Sequence, residues 1–179
     1  MNDRLIKHKI ILEILDKYRV IWSLGHLSSL ADWDMNVYMP EEGAKSRGEA
    51  LAKVQVLIQN LFLEKEFVDK IKIAFKEKGL NEYELGILRI LNKQLKYYEK
   101  LPKDFIEEFA RVTTEAHLAW KNAKEKKDIS IFLPSLKKIF YLSRKRADYL
   151  GYKENPYDSL LDLYEEGLNS KDVVNYFSE

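Results

Sequence analysis

Cysteine is absent from the 179 residues, which excludes a disulfide framework and any thiolate metal site. Glycine is scarce: the seven present stand singly, so no glycine-rich phosphate loop can form. No apolar run approaches the roughly 20 residues that a membrane span needs. Near the start, Lys7, Lys9, Glu13, Asp16 and Lys17 interrupt every stretch that could act as the apolar core of a signal peptide. Charge of one sign is lacking too. The net charge of +1 provides no general attraction to nucleic acid or an acidic membrane. The basic runs Lys124-Glu125-Lys126-Lys127 and Arg144-Lys145-Arg146 are short and read as solvated helix faces. What remains, at 46% hydrophobic and 33% charged, is the composition of a globular domain with a real core, expected in the cytoplasm. Few glycines, no cysteine and abundant Lys and Glu also suit a thermophile.

The periodicity is helical almost throughout, and no alternating run long enough for a strand occurs, so the fold class is all-α with about six to seven helices in an antiparallel array. From Arg4 to about Leu30, Ile11, Ile14, Leu15, Tyr18, Ile21, Trp22 and Gly25 recur at helical spacing. Pro40 and Gly43 place a break over residues 35–43. A second helix is expected from Ala44 to Leu63 with Leu51, Val54, Leu57, Ile58 and Leu61 on its buried stripe, and a third from Glu66 to Lys78, closed by Gly79. Asn81 and Glu84 have the spacing of a capping box and open a fourth helix to about Glu99. Pro102 starts a fifth, with Phe105, Phe109, Val112, Ala116 and Trp120 as its stripe. Pro134 starts a sixth, with Leu136, Ile139, Phe140, Ser143, Ala147 and Leu150, ended by Gly151.

Asn169 and Ser170, with Asp172 in the first turn, open a last helix bearing Val173, Val174, Tyr176 and Phe177. About two turns later the sequence ends, fewer than the roughly 12–15 residues that an unsupported helix needs in water. That helix points to a longer polypeptide; the plainer alternative is a short helix docked on the core.

Visible catalytic chemistry is sparse. None of the three histidines, His8, His26 and His117, belongs to an H-E-x-x-H or Glu-x-x-His pattern, and no serine stands in G-x-S-x-G. His8 lies among lysines and reads as solvated, His117 as a boundary residue beside Trp120, and His26 as structural, near Asp32. Two acidic clusters remain. Asp158, Asp162 and Glu165 are spaced to stack three carboxylates on one helical face, either a solvated or ion-paired face or a cation site. The other is Asp32-Trp33-Asp34, just before the expected break.

Both clusters lie in familiar surroundings. Trp33-Asp34, then Tyr38-Met39-Pro40, Gly43 and Arg47, resembles the first signature of the carboxypeptidase Taq family of metallocarboxypeptidases. Asn155-Pro156-Tyr157-Asp158-Ser159-Leu160-Leu161-Asp162, then Tyr164-Glu165 and Gly167, resembles a second. Trp120, Phe132, Pro134, Leu136 and Ala147 fall between them in the family's order. Val37 and Glu166 depart from the family's usual Thr and Pro. The resemblance implies an elongated all-helical protein about three times this length. It would form a homodimer that removes C-terminal residues from peptides with one divalent metal, zinc or cobalt. The family's H-E-x-x-H and later Glu fall beyond anything matched here, so no catalytic, metal or cofactor role is carried onto this chain. Residues 1–179 are then expected to form a single helical N-terminal segment, a groove wall and lid that is inactive alone. Trp33, Asp34, Met39, Pro40, Arg47, Pro156, Tyr157, Asp158, Asp162, Tyr164 and Glu165 are its structural or gating candidates. Two alternatives stay open: a freestanding helical binding or scaffold module, and an enzyme complete within these residues using Asp158, Asp162 and Glu165 on a metal.

Overall fold

The computed structural model describes residues 5–178. Eight α-helices form among them, and no strand: α1 (Lys9–Val37), α2 (Ala44–Phe62), α3 (Lys65–Ala74), α4 (Glu82–Lys100), α5 (Lys103–Lys126), α6 (Leu133–Leu150), α7 (Pro156–Leu161) and α8 (Ser170–Phe177). Single 3-10 turns occur at Glu41–Gly43 and Ile129–Ile131. No helix among these residues is long and apolar enough to cross a membrane. The chain divides into two compact units, Met1–Ala110 and Arg111–Glu179.

Two helix boundaries differ from the sequence expectation. Arg4, where the periodicity begins α1, lies outside the described residues, and the helix continues past Leu30 to Val37. Pro40 restricts only the residue before it, so the helix runs until Tyr38 and Met39, whose N–H groups both donate to Asp34 O at 2.9 Å. At the other end of the unit, α3 stops at Ala74, short of Lys78. The next residues form tighter i→i+3 turns, Lys76 N to Ile73 O at 2.9 Å and Glu77 N to Ala74 O at 3.2 Å.

In the first unit α2 packs against α1, α3 and α4, and α1 also against α3. Their shared core comprises Ile11, Ile14, Ile21, Ile58, Phe62, Phe67, Ile71, Leu88, Leu91 and Leu95. Phe62 is its aromatic centre, edge-on to Tyr18 and Phe67 and stacked on Tyr98 with ring centroids 4.9 Å apart. The buried face of α2 is rotated from the expected stripe: Leu57 is exposed, while Ala44, Gly48, Ala52, Ile58, Gln59 and Phe62 are buried. Gln59 uses its burial to close another helix. Its Nε2 donates to Tyr98 O at 3.0 Å and Leu101 O at 2.7 Å, taking up carbonyls left over at the end of α4.

The capping box expected at Asn81 and Glu84 is present. Asn81 Oδ1 accepts from Glu84 N at 3.1 Å, and Asn81 N donates to Glu84 Oε2 at 2.9 Å. The same carboxylate reaches further. Glu84 Oε1 accepts from Lys7 N and His8 N, both at 2.8 Å, and Oε2 lies 2.9 Å from His8 Nδ1. His8 is therefore not solvated as the neighbouring lysines suggest; it is the N-cap residue of α1 and a partner of a fully buried carboxylate. One anion thus serves the N-termini of α1 and α4 together, where both helix dipoles favour negative charge. Ion pairs Lys17–Glu66, at 2.6 Å, and Lys70–Glu13 link α1 to α3.

In the second unit α6 packs on α7 and on the Ile129–Ile131 turn, and α7 packs on α8. Leu142, Ala147 and Leu150 are buried, whereas Phe140, expected on the inner stripe, is 63% exposed. α5 ends in a Schellman closure, with Asp128 N donating to Ala123 O at 2.9 Å and Lys127 N to Lys124 O at 3.3 Å. This puts Lys127 in the left-handed region at φ 53°.

Two outcomes follow from these ends. Burial raises the cost of the Glu84 charge, but the hydrogen bonds from Asn81, His8 and Lys7 outweigh it and hold its pKa down at about 2, against an ordinary 4.5. A carboxyl depressed in the folded state contributes stability above its unfolded pKa and loses it as pH falls through the folded one. Denaturant melts between pH 5 and 2 should therefore show a loss of stability that is much weaker in Glu84→Gln, a variant about 2–4 kcal/mol less stable than the parent at pH 7. Lys127→Gly, which relieves the left-handed backbone, should raise stability by about 1 kcal/mol in the same melts.

Candidate functional site

The first signature lies at the α1–α2 junction, where the chain must turn within six residues, 38–43. Pro40, extended at φ −61° and ψ 148°, caps the 3-10 turn, and Gly43 N returns a hydrogen bond to its carbonyl at 3.0 Å. Met39 folds over Gly43: a Cβ added there would stand 3.2 Å from Met39 Cγ, close enough that the methionine side chain would have to shift by a few tenths of an ångström. Arg47, in the first turns of α2, then reaches back to α1. Its Nη2 donates to Asp34 Oδ2 at 2.6 Å and its Nη1 to Ala31 O at 2.7 Å. Trp33 and Tyr38 meet edge to face at 5.6 Å, both exposed. Trp33, Asp34, Met39, Pro40 and Arg47 are thus brought together, as a clasp that fixes the angle of the turn.

The second signature does not form the three-carboxylate face that its spacing suggests. α7 ends at Leu161, Asp162 becomes its C-cap, and residues 163–165 continue as turns. The carboxylates are distributed to backbone donors instead. Asp158 Oδ1 accepts from Ser170 N at 2.7 Å, and Asp162 Oδ1 from Gly167 N at 2.8 Å. Asn155 caps α7 by accepting from Tyr157 N at 2.9 Å and donates through Nδ2 to Ser170 Oγ at 3.1 Å. Ser170 and the neighbouring Lys171 keep the Asp158 carboxyl below the ordinary carboxylate range. Asn169 and Asp172 complete a reciprocal capping box on α8. Pro156 occupies the first turn of α7, while Tyr157, Tyr164 and Glu165 are exposed. This segment is tied to the start of α8, with one oxygen each of Asp158 and Asp162 taken up by a backbone N–H.

Among the described residues, no three His, Asp or Glu side chains converge on a point that could hold a metal ion. The residues present do not fit the divalent ion that the resemblance implies.

Sequence reasoning missed a groove of about 450 Å³ in the first unit, walled by α1, α2 and α4. Trp22 and His26 lie on its α1 side with their rings stacked, centroids 5.3 Å apart and planes 5° from parallel. Gly25, Ser29, Asp32 and Gln55 contribute small or polar walls, and Gln94 has a buried amide oxygen without a hydrogen-bond partner. Tyr98 lines its floor, its hydroxyl pushed up to about 12 by burial. The signal in the sequence was the small residues Gly25, Ser28 and Ser29 interspersed with Trp22, His26 and Asp32 in the second half of α1.

If the clasp fixes the α1–α2 turn, Asp34→Ala, which leaves Arg47 with one of its two acceptors, should cost about 1–2 kcal/mol in thermal melts of the chain. Arg47→Lys should restore little, because an ammonium cannot fork to both oxygens.

The sequence pattern of the carboxypeptidase Taq (M32) metallopeptidase family matches residues 13–179. Over 175 residues the chain is 44% identical to thermostable carboxypeptidase 1 of Pyrococcus furiosus, covering 98% of this chain and 35% of that protein. A solved structure of Pyrococcus furiosus carboxypeptidase, Apo-Mg, superposes with a TM-score of 0.80 at 44% identity, over 97% of this chain and 35% of that one. The BsuCP crystal structure gives a TM-score of 0.90 at 27% identity, over 96% and 35% of the two chains. The chain thus spans about a third of the length of the relatives it matches. With a match that runs through both signatures and almost end to end, the chain belongs to the carboxypeptidase Taq (M32) metallopeptidase family.

Proposed function

We propose that this chain is the helical N-terminal part of a metal-dependent carboxypeptidase, a wall and part of the lid of the groove that admits peptide C-termini, and that it hydrolyses nothing by itself. The family match over residues 13–179, set against coverage of only 35% of a relative's length, carries this reading. The local chemistry supports it. Asp34 is held by Arg47, Asp158 by Ser170 and Asp162 by Gly167, so the signature carboxylates serve hydrogen bonds within the fold. The zinc or cobalt ion, its ligands and the base that activates water then belong to the remainder of the polypeptide. The complete enzyme would act as a homodimer in the cytoplasm.

In a lid, rigidity at the turns matters more than reactivity, because closure must place a wall reproducibly while excluding water. The Asp34–Arg47 clasp and the Asn155/Asp158 anchor on α8 supply such fixed turns. Trp33 and Tyr38 put an aromatic edge at the first of them.

Incubating the chain with an N-blocked dipeptide and zinc or cobalt should release no C-terminal amino acid, and elemental analysis after dialysis should find well under one metal per chain. Turnover above the buffer blank, or a stoichiometric metal that survives dialysis, would contradict the reading.

A further inference from the structure

α1 is apolar on two sides, which meet at the groove lined by Ile21, Trp22 and His26. One carries Ile14 and Ile21 into the core of the first unit. The other carries Trp22, His26, Leu30, Trp33 and Val37, at steps of four, four, three and four, so that they form one line along the helix. That line is open: Trp22 is 58% exposed, Leu30 50%, Trp33 56% and Val37 52%.

The stripe also lacks the charge that normally keeps such a face in water. From Val20 to Ala44 there is no Lys or Arg, so no cationic stem of this part of α1 itself lies across it. Asp34, close to the stripe, is already held by Arg47. Two tryptophans in a face depleted of charge have the composition of an interface centre, and steps of three and four keep the line on one side of the helix, where a second helix can lie along it. The clasp at Asp34 and Arg47 fixes the end of the helix that carries it.

We infer that the Trp22–Val37 stripe is the seat on which a helix from the other two thirds of the carboxypeptidase polypeptide packs. The occupant follows from length. A relative matched along 98% of this chain has only 35% of its own length accounted for, so the larger part of a homologous chain has no counterpart here, while this face stands uncovered. The inference rests on the carboxypeptidase reading and adds to it the surface through which the wall is joined to the catalytic part.

The test places one substitution in two settings. Leu30→Gln keeps helix propensity and adds no charge beside Asp34; it is made in this chain alone and in a chimera in which this chain replaces the matching third of the Pyrococcus furiosus carboxypeptidase. In the lone chain, where Leu30 is already half exposed, the thermal midpoint should stay within about 2 °C. In the chimera the amide would be buried against an apolar helix, and the midpoint should fall by roughly 5 °C or more. Leu30→Ala, which removes contacts without burying a polar group, should fall between the parent and Leu30→Gln in the chimera, and it serves if the glutamine chimera fails to fold. An unchanged midpoint for both variants in the chimera overturns the inference. So does a lone chain that sediments as a dimer and dissociates with Leu30→Gln, since the occupant is then a second copy. Carboxypeptidase activity of the unsubstituted chimera reads the underlying functional assignment separately, so a folded but inactive chimera counts against that assignment and leaves the midpoint comparison standing.

Discussion

Burying an ionised carboxylate is costly unless its oxygens are met by donors, and Glu84 is fully buried with donors on both oxygens. Its partners come from two parts of the sequence: Asn81 beside it, and Lys7 and His8 at the head of α1, 77 and 76 residues away. The first unit depends on this meeting. It sets the starting point of α1, and with it the register at which Ile11, Ile14 and Ile21 enter the core against Leu88, Leu91 and Leu95. Gln59 performs a similar task at the far end of α4, accepting no protein donor itself but supplying two hydrogen bonds to the carbonyls of Tyr98 and Leu101. The helix between them is therefore held at both ends by side chains that are not free to solvate elsewhere.

The two family signatures obey the same logic at the surface. Arg47 joins a carboxylate and a helix carbonyl at the α1–α2 turn, while Asp158 and Asn155 take the amide and hydroxyl of Ser170 at the start of α8. The signature residues Asp34, Arg47, Asn155 and Asp158 thus have a structural use visible in the hydrogen bonds, which hold the turns at which α2 and α8 begin.

Much of the fold was legible in the sequence. The all-α class, the capping box at Asn81, the N-cap at Asn169 and the starts given by Pro102 and Pro134 involve neighbours within one turn, whose chemistry is local and needs no knowledge of the rest. The family itself could also be recognised, because a dozen side chains in order are carried by sequence alone. The stripes were less secure. Leu57 and Phe140 match the helical period yet face solvent, since periodicity says which residues share a face and not which face a neighbour will cover.

Tertiary structure alone decided the remaining features, and in each case a group was claimed by a distant partner. His8 reads as solvated until Glu84 is brought to it; Asp158, Asp162 and Glu165 read as one acidic face until the chain turns at Leu161 and offers backbone donors to two of them. The outer stripe of α1 is present in the spacing of Trp22, His26, Leu30, Trp33 and Val37, but only packing determines that the side bearing Ile14 and Ile21 enters the core and leaves this one open. Local chemistry fixed where several helices begin, as at Asn81 and Asn169, because a cap acts over a few bonds. Which of their faces and charges found partners was set by the close approach of segments tens of residues apart, which no local pattern encodes.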